Sequence, residues 1–375
     1  MCDLEVTISF CIVGLSQPAG RHHHSGGGGE KPMRHVEIAG THEELGRAYG
    51  EYVAEHKLNW WWREPSPAKL EFVRACEETI AEYAPGFLEE LRALAEANDA
   101  DYDVVLSNMI VSDWLEFPMC NVLAVSGSRT ASGRTIFIRN HDWADEDIEY
   151  VTCFRTAPKN GLRHIAFGFA DPGRYDGVNE AGLAIGGSSI PFYNGKLKPG
   201  LRSSVVSRWI LDTCPDVMSA VEFLKRIPHM EPNAWMLADR SGLVARVEVT
   251  PDGPIDVTST ENGMLATVNR FQSETLAPFD HVPDGNNWIY EFQRHIEAWY
   301  EANRWRIDLE MAVAFASDHN AGLCNHGEPN VRYGTIYSWV GELGTDELHV
   351  VLGRPCENEY ELYRLDTAAG HEHSG

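Results

Sequence analysis

The sequence contains no apolar run that approaches the length of a membrane span. It also lacks any CxxC pair. Its eight cysteines stand at 2, 11, 76, 120, 153, 214, 324 and 356, scattered along the chain. A disulfide framework belongs to short secreted chains, so the reading is of mostly reduced thiols in a cytoplasmic protein. Positive charge is scarce: 31 Lys and Arg stand against 56 Asp and Glu, a formal net charge of −25. That balance argues against nucleic acid, and against an anionic membrane surface, as a partner. The short apolar patch in "MCDLEVTISFCIVGLSQPAG" is preceded by Asp3 and Glu5, where a signal peptide wants positive charge. Internal repeats are absent too.

What is present is an ordinary globular balance. The chain has 375 residues, 43% hydrophobic and 23% charged, enough for one large domain or two smaller ones. Residues 1–32 read as a flexible leader and 367–375 as a tail, with the ordered protein beginning near Met33. The stretch "VEIAGTHEELGRAYGEYVAEH" starts as a strand and becomes a helix, with Thr41 and Glu44 spaced as a capping box. Residues 66–97 carry a helical apolar period, split in two by Pro85, and 102–115 reads as a further helix. Residues 33–119 therefore read as a helical N-terminal region. Short β-rich segments follow, separated by Gly and Asp-Pro-Gly turns. Helices return near 202–213, 215–226, 287–303 and 308–315, interleaved with more strands. Strands, helices and strands again indicate an α+β protein of layered sheets covered by helices.

The chemistry centres on "FPMCNVLAVSGSRTASGRTIFIRNHDW", residues 117–143. Cys120 heads one strand, "SRTASG" reads as a hairpin turn, and the second strand ends in Arg139 and Asp142. Pairing would bring that end back to the cysteine. A thiol becomes a good nucleophile as a thiolate, which a nearby cation favours. If the Met119–Cys120 bond were cut, Cys120 would gain an α-amine with a pKa of about 7.7–8.0, suited to a general base. Arg139 would favour the thiolate, and Asp142 would orient the amine. By residue type alone, the plainer role for Cys120 is a small buried hydrophobe.

The same stretch resembles the signature of N-terminal-nucleophile (Ntn) hydrolases of the acyl-coenzyme A:6-aminopenicillanic acid acyltransferase type. Further matching segments follow in order: "GVNEAGLAIGG" (177–187), "LATVNRF" (265–271), "DHNAGLCNHGEP" (318–329) and "LGRPCENEYELYRL" (352–365). The resemblance covers about residues 34–366 and implies a four-layer αββα Ntn-hydrolase fold. It also implies a light chain ending at Met119 and a catalytic core, 120–366, starting at the nucleophile Cys120. Arg139 and Asp142 would support its thiol and amine, and Asn269 would contribute to an oxyanion hole. Ser188 or Ser189 would stand where the bile-salt branch carries Asn or Tyr, and Arg294 is a loose counterpart of that branch's downstream Arg. Met119 and Asn121 flank the cysteine, where many members carry a small residue and Thr.

The implied activity is hydrolysis of a small N-acylated amide through a thioester, without a cofactor. Acyl-CoA-dependent transfer and an uncleaved, non-catalytic binding protein are the alternatives. The two chains would stay associated after cleavage, and a homo-oligomer is compatible with the sequence. Trp60, Trp61 and Trp62 form either an aromatic wall over the acyl group or a packing seam. His319, Cys324 and His326 have a spacing that could hold zinc but lack a further ligand, so no metal is expected.

Overall fold

The computed structural model of the protein describes residues 32–111, 120–283, 288–320, 323–327 and 332–365. A strand opens it, β1 (Arg34–Gly40), followed by four helices: α1 (His42–Glu55), α2 (Pro67–Tyr83), α3 (Pro85–Ala97) and α4 (Tyr102–Ile110). Each helix start has a local cause. The Glu44 amide donates to Thr41 Oγ1 at 3.2 Å and Thr41 N–H donates to Glu44 Oε2 at 2.7 Å, the expected capping box. Ser66 and Asp101 cap α2 and α4 with their side-chain oxygens. Pro85 opens α3 at its first residue, where its missing N–H would have had no intrahelical partner. Gly46 and Gly50 let α1 lie directly on α3. A Cβ at Gly46 would stand 2.2 Å from the Glu90 carbonyl oxygen, and one at Gly50 2.7 Å from Ala97 Cβ.

The strands and helices that follow run in chain order as β2 (Asn121–Val125), β3 (Ile136–Ala144), β4 (Thr152–Pro158), β5 (His164–Gly168), β6 (Asp176–Asn179), β7 (Leu183–Ser189), α5 (Ser203–Thr213) and α6 (Val217–Arg226). Then come β8 (Asn233–Asp239), β9 (Val244–Val249), β10 (Ile255–Thr260), β11 (Met264–Val268), α7 (Trp288–Asn303), α8 (Leu309–Ala316), β12 (Tyr333–Glu342), β13 (Glu347–Leu352) and β14 (Glu361–Arg364). One sheet has eight strands in the order β1-β4-β5-β6-β7-β8-β9-β10, the other six in the order β11-β2-β3-β12-β13-β14. Every pairing is antiparallel except that of β1 with β4.

Three apolar layers hold the sheets and helices together. Leu45, Phe87, Val205, Leu224 and Trp235 pack the N-terminal helices, α5 and α6 on the outer face of the large sheet. Val122, Phe137, Ile165, Met236 and Trp339 fill the space between the sheets. Leu123, Ile138, Ile296 and Phe315 pack α7 and α8 on the outer face of the small sheet. The result is a four-layer αββα arrangement. Strand β2 is apolar at four successive positions because both of its faces are buried: Val122 and Ala124 point one way, Leu123 and Val125 the other.

The N-terminal region is not purely helical. Strand β1 adds to the edge of the large sheet along its full seven residues, from Arg34 opposite Thr152 to Gly40 opposite Pro158. Helices α1 to α4 share one apolar cluster with that sheet. No helix among the described residues is long and apolar enough to cross a membrane.

Candidate active site

The expected hairpin sets the site. In the β2–β3 register Asn121 lies opposite Asn140 and Val122 opposite Arg139, so the end of β3 runs back past the start of β2. Side chains alternate along β3. Phe137, Arg139 and His141 share the face between the sheets, whereas Ile138, Asn140 and Asp142 face the α8 side.

Cys120 is fully buried at the head of this hairpin. Its main-chain N–H donates to Asn269 Oδ1 at 2.9 Å, and Asn269 Nδ2 donates to the Ser189 carbonyl at 3.0 Å. Ser188 Oγ donates to the Cys120 carbonyl at 3.0 Å and pairs with Thr267 Oγ1 at 2.9 Å. Burial pushes the thiol up to about 11, against the pull of the Arg139 charge and a hydrogen bond from the Asp142 backbone. Cys120, Arg139, Asp142, Asn269, Ser188 and Ser189 are thus brought together. Met119 lies outside the described residues.

Arg139 is held in place by acceptors on three sides. Its Nε donates to Asp176 Oδ2 at 2.8 Å, Nη1 to the Gly187 carbonyl at 3.0 Å, and Nη2 to His141 Nδ1 at 2.7 Å. Asp176 also accepts from Tyr337 OH and Trp339 Nε1, each at 2.7 Å. Burial alone would raise Asp176, but the Arg139 charge and these donors hold it below the usual carboxylate range. His141 receives the guanidinium at Nδ1, which leaves its proton on Nε2. Burial and the Arg139 charge lower its pKa to about 4, so it is neutral at pH 7. Its buried Nε2 has no hydrogen-bond partner.

Asp142 is buried near Cys120, and both of its carboxylate oxygens are in use. Thr335 Oγ1 donates to its Oδ1 at 2.7 Å and Asn325 Nδ2 to its Oδ2 at 2.9 Å. Even so, burial raises its pKa to about 7. In the intact chain the Cys120 amide is held by Asn269. Asp176, His141, Tyr337 and Trp339 were not legible as site residues. The only signal for Asp176 was its place just ahead of "GVNEAGL".

An aromatic cleft of about 590 Å³ opens beside this cluster, lined by Trp60, Trp61, Trp143, Tyr150, Phe169 and Tyr175, with Asp147, Asp171 and Arg202. The His141 ring lies 5.4 Å from Tyr175 and 5.6 Å from Phe169. Trp62 is not among the lining residues; like Trp61 it packs on the N-terminal apolar cluster. The three tryptophans therefore divide between wall and seam. Arg294 sits on an exposed face of α7, paired with Glu291 at 3.8 Å, and is no part of the cluster.

A second buried polar group, His42, Glu90 and Asp212, has metal-like spacing. Arg208 fills it instead: its Nη2 meets Glu90 Oε1 at 2.9 Å and its Nε meets Asp212 Oδ1 at 3.0 Å. A metal cation does not fit beside that guanidinium.

Two stacked sheets between helical layers, with a cysteine at the head of a central strand, define the class of αββα Ntn hydrolases. Within it, the chain belongs to the acyl-coenzyme A:6-aminopenicillanic acid acyl-transferase family, whose model matches residues 128–357, more than half of its length. The activity in that family's description is acyl transfer. Cys120 stands just ahead of the matched range. No curated protein matches the chain. Similar solved structures include a conjugated bile acid hydrolase from Clostridium perfringens, with TM-score 0.45 and 16% identity over 66% of this chain and 97% of that one. Another is penicillin V acylase from Agrobacterium tumefaciens, with TM-score 0.42 and 21% identity over 62% of this chain and 82% of that one.

Proposed function

We propose that the protein is a cysteine Ntn hydrolase, activated by its own scission at Met119–Cys120, that cleaves small amides bearing an apolar acyl group. The observation that carries this reading is the hold on Cys120: its main-chain nitrogen on Asn269 Oδ1, its sulfur beside the Arg139 charge. In self-cleavage the thiol gives up its proton as its sulfur attacks the Met119 carbonyl, the C–N bond breaks, and the nitrogen takes a proton, leaving a thioester of Met119 on Cys120 and a free α-amine. Asp142, with its pKa near 7, suits the donor role at neutral pH. Water then hydrolyses the thioester to the Met119 carboxylate and the Cys120 thiol, beside the α-amine already freed.

In turnover the amine takes the thiol proton, the sulfur attacks the substrate carbonyl, and the amine product departs with that proton. A thioester on Cys120 remains, and water releases the acid. Asn269 and a backbone N–H would steady the oxyanion. The aromatic cleft would seat the acyl group, with Trp60 and Trp61 as its wall. Ser188 would keep the Cys120 carbonyl in place. Scission would give a light chain ending at Met119 and a heavy chain starting at Cys120. The β1–β4 pairing and the shared apolar cluster support their staying together. The family's description favours a second reading, transfer of the acyl group from CoA to an amine at the same thioester.

Intact-mass measurement is the test. Two fragments meeting at Cys120 are expected, together with an acyl mass shift on the Cys120 fragment when N-acyl amino acids or acyl amines are supplied. Acyl-CoA labelling without amide turnover would favour transfer. A Cys120→Ala chain that still cleaves and still turns over substrate defeats the reading.

A further inference from the structure

The sequence places His319, Cys324 and His326 close together but offers them no fourth partner. The fold supplies one. Cys356, in the link between β13 and β14, packs its sulfur 3.4 Å from Cys324 Sγ and 3.0 Å from His326 Nε2. Cys324 Sγ in turn lies 3.7 Å from His326 Nε2. Ring nitrogens of His319 and His326 and the Cys356 sulfur all fall within 4.8 Å of one another. From these residues we infer a structural zinc site of the Cys2His2 kind, built from His319, Cys324, His326 and Cys356.

The ligand atoms of Cys324, His326 and Cys356 lie 3.0–3.7 Å apart, and His319 groups with His326 and Cys356 but not with Cys324, so binding zinc would draw His319 inward. With Zn–S near 2.3 Å and Zn–N near 2.0 Å, a tetrahedral site sets its ligand atoms about 3.3–3.8 Å apart. Both cysteines are free thiols. The imidazole is oriented for the role: Nε2 faces the two sulfurs, while Nδ1 lies 3.6 Å from Glu357 Oε1. Binding would convert both thiols to thiolates and release two protons to solvent, so the bound group is neutral overall. Four protein ligands complete the coordination, which makes the site structural rather than hydrolytic.

The clamp has a defined mechanical target. Asn325 stands between two of the ligands and donates to the Asp142 carboxylate at 2.9 Å. Its backbone N–H donates to Thr335 Oγ1, which also donates to Asp142. Asn140, next to Arg139, donates to the Leu323 carbonyl. Zinc would therefore fasten the β13–β14 link to the loop that braces the β3 end. This inference stands without the role assigned to Cys120.

The test uses the full chain with His22, His23 and His24 changed to Ala, so that the leader histidines hold no metal. After zinc loading and desalting, elemental analysis is expected to find about one zinc per chain. Adding Cys324→Ser and Cys356→Ser should reduce this to about none. Cobalt loading should give the visible absorption of tetrahedral, thiolate-ligated Co²⁺. His319→Ala, at an exposed position, keeps the fold readable and should weaken zinc by at least about tenfold in chelator competition. Zinc well below one per chain, zinc unchanged by the two serines or by His319→Ala, or a Cys324–Cys356 disulfide seen as a loss of two hydrogens would each overturn the site.

Discussion

Replacing Asp176 with Asn would test how tightly the site is built. Arg139 and Asp176 are 1% and 0% exposed, so no solvent compensates for the change. Both carboxylate oxygens are in use, accepting from Arg139, Tyr337 and Trp339 at 2.7–2.8 Å. Asparagine keeps one acceptor and turns an NH2 toward a donor. Breaking a buried pair from one side costs about 3–5 kcal/mol, because the other charge is left without a partner. Against a total stability of about 5–15 kcal/mol that is a large share. The measurement is equilibrium urea unfolding followed by tryptophan fluorescence, with a Tm drop of about 4–6 °C as a parallel readout. The double variant Arg139→Met, Asp176→Leu removes both charges and should be less destabilised than Asp176→Asn alone, although inactive. A loss below about 1 kcal/mol for Asp176→Asn, or strict additivity of the charge-removing substitutions, would refute the pairing argument.

The other expectations follow from single contacts. Asp142 has its folded pKa raised to about 7 from an ordinary 3.8, so the fold prefers its neutral form. Its contribution to stability is present below about pH 4 and lost as pH rises to about 7. The wild-type minus Asp142→Asn stability difference should therefore change by up to about 4 kcal/mol across that window; a flat difference in urea titrations would contradict the burial. Asn269→Ala should lower kcat by about 10²–10³. It should also cost about 1–3 kcal/mol, since the Cys120 N–H and Ser189 carbonyl lose their partner. Trp60→Ala, at a residue 40% exposed, should leave the unfolding midpoint within about 0.5 kcal/mol and raise KM for apolar acyl substrates. Gly46→Ala should destabilise despite a gain of about 1 kcal/mol in helix propensity, because its methyl meets the Glu90 carbonyl; a stabilised variant would mean that α1 and α3 can separate.

Much of this fold could be read from local pattern. The capping box at Thr41, the split at Pro85 and the β2–β3 hairpin are each specified by a few neighbouring residues, and each forms as expected. The hairpin alone brings Arg139 and Asp142 to Cys120. What pattern could not give was long-range. Asp176 reaches Arg139 across 37 residues and from the other sheet. Cys356 reaches Cys324 across 32. His141 reads as one letter in "RNHDW", and only the strand register shows that it shares a face with Arg139. The hairpin pairing is the ground for setting Asp142 beside the α-nitrogen. Its partners Asn325 and Thr335, and the hold of Asn269 on the intact Cys120 amide, come from distant parts of the chain.

The electrostatics of the intact chain also favour a precursor. The Cys120 thiol, raised to about 11, and Asp142, raised to about 7, lie beside a guanidinium whose charge is already matched by Asp176. At pH 7 the sulfur is protonated, and the only nitrogen at hand is an amide. On the proposed scission, the new α-ammonium adds one positive charge next to both groups. An opposite charge within about 4–6 Å lowers a carboxyl by 1–3 units and draws a thiol down in the same sense. Asp142 would then ionise at neutral pH, after serving as a proton donor before the cut. The same residue can fill both roles because one bond changes the local charge. A thiol titration of the Asp142→Asn chain checks this. Its Cys120 should react with iodoacetamide more readily than in the wild-type precursor, since a nearby carboxyl disfavours the thiolate. Slower alkylation would show that the carboxyl assists the sulfur directly, and the charge argument would fail.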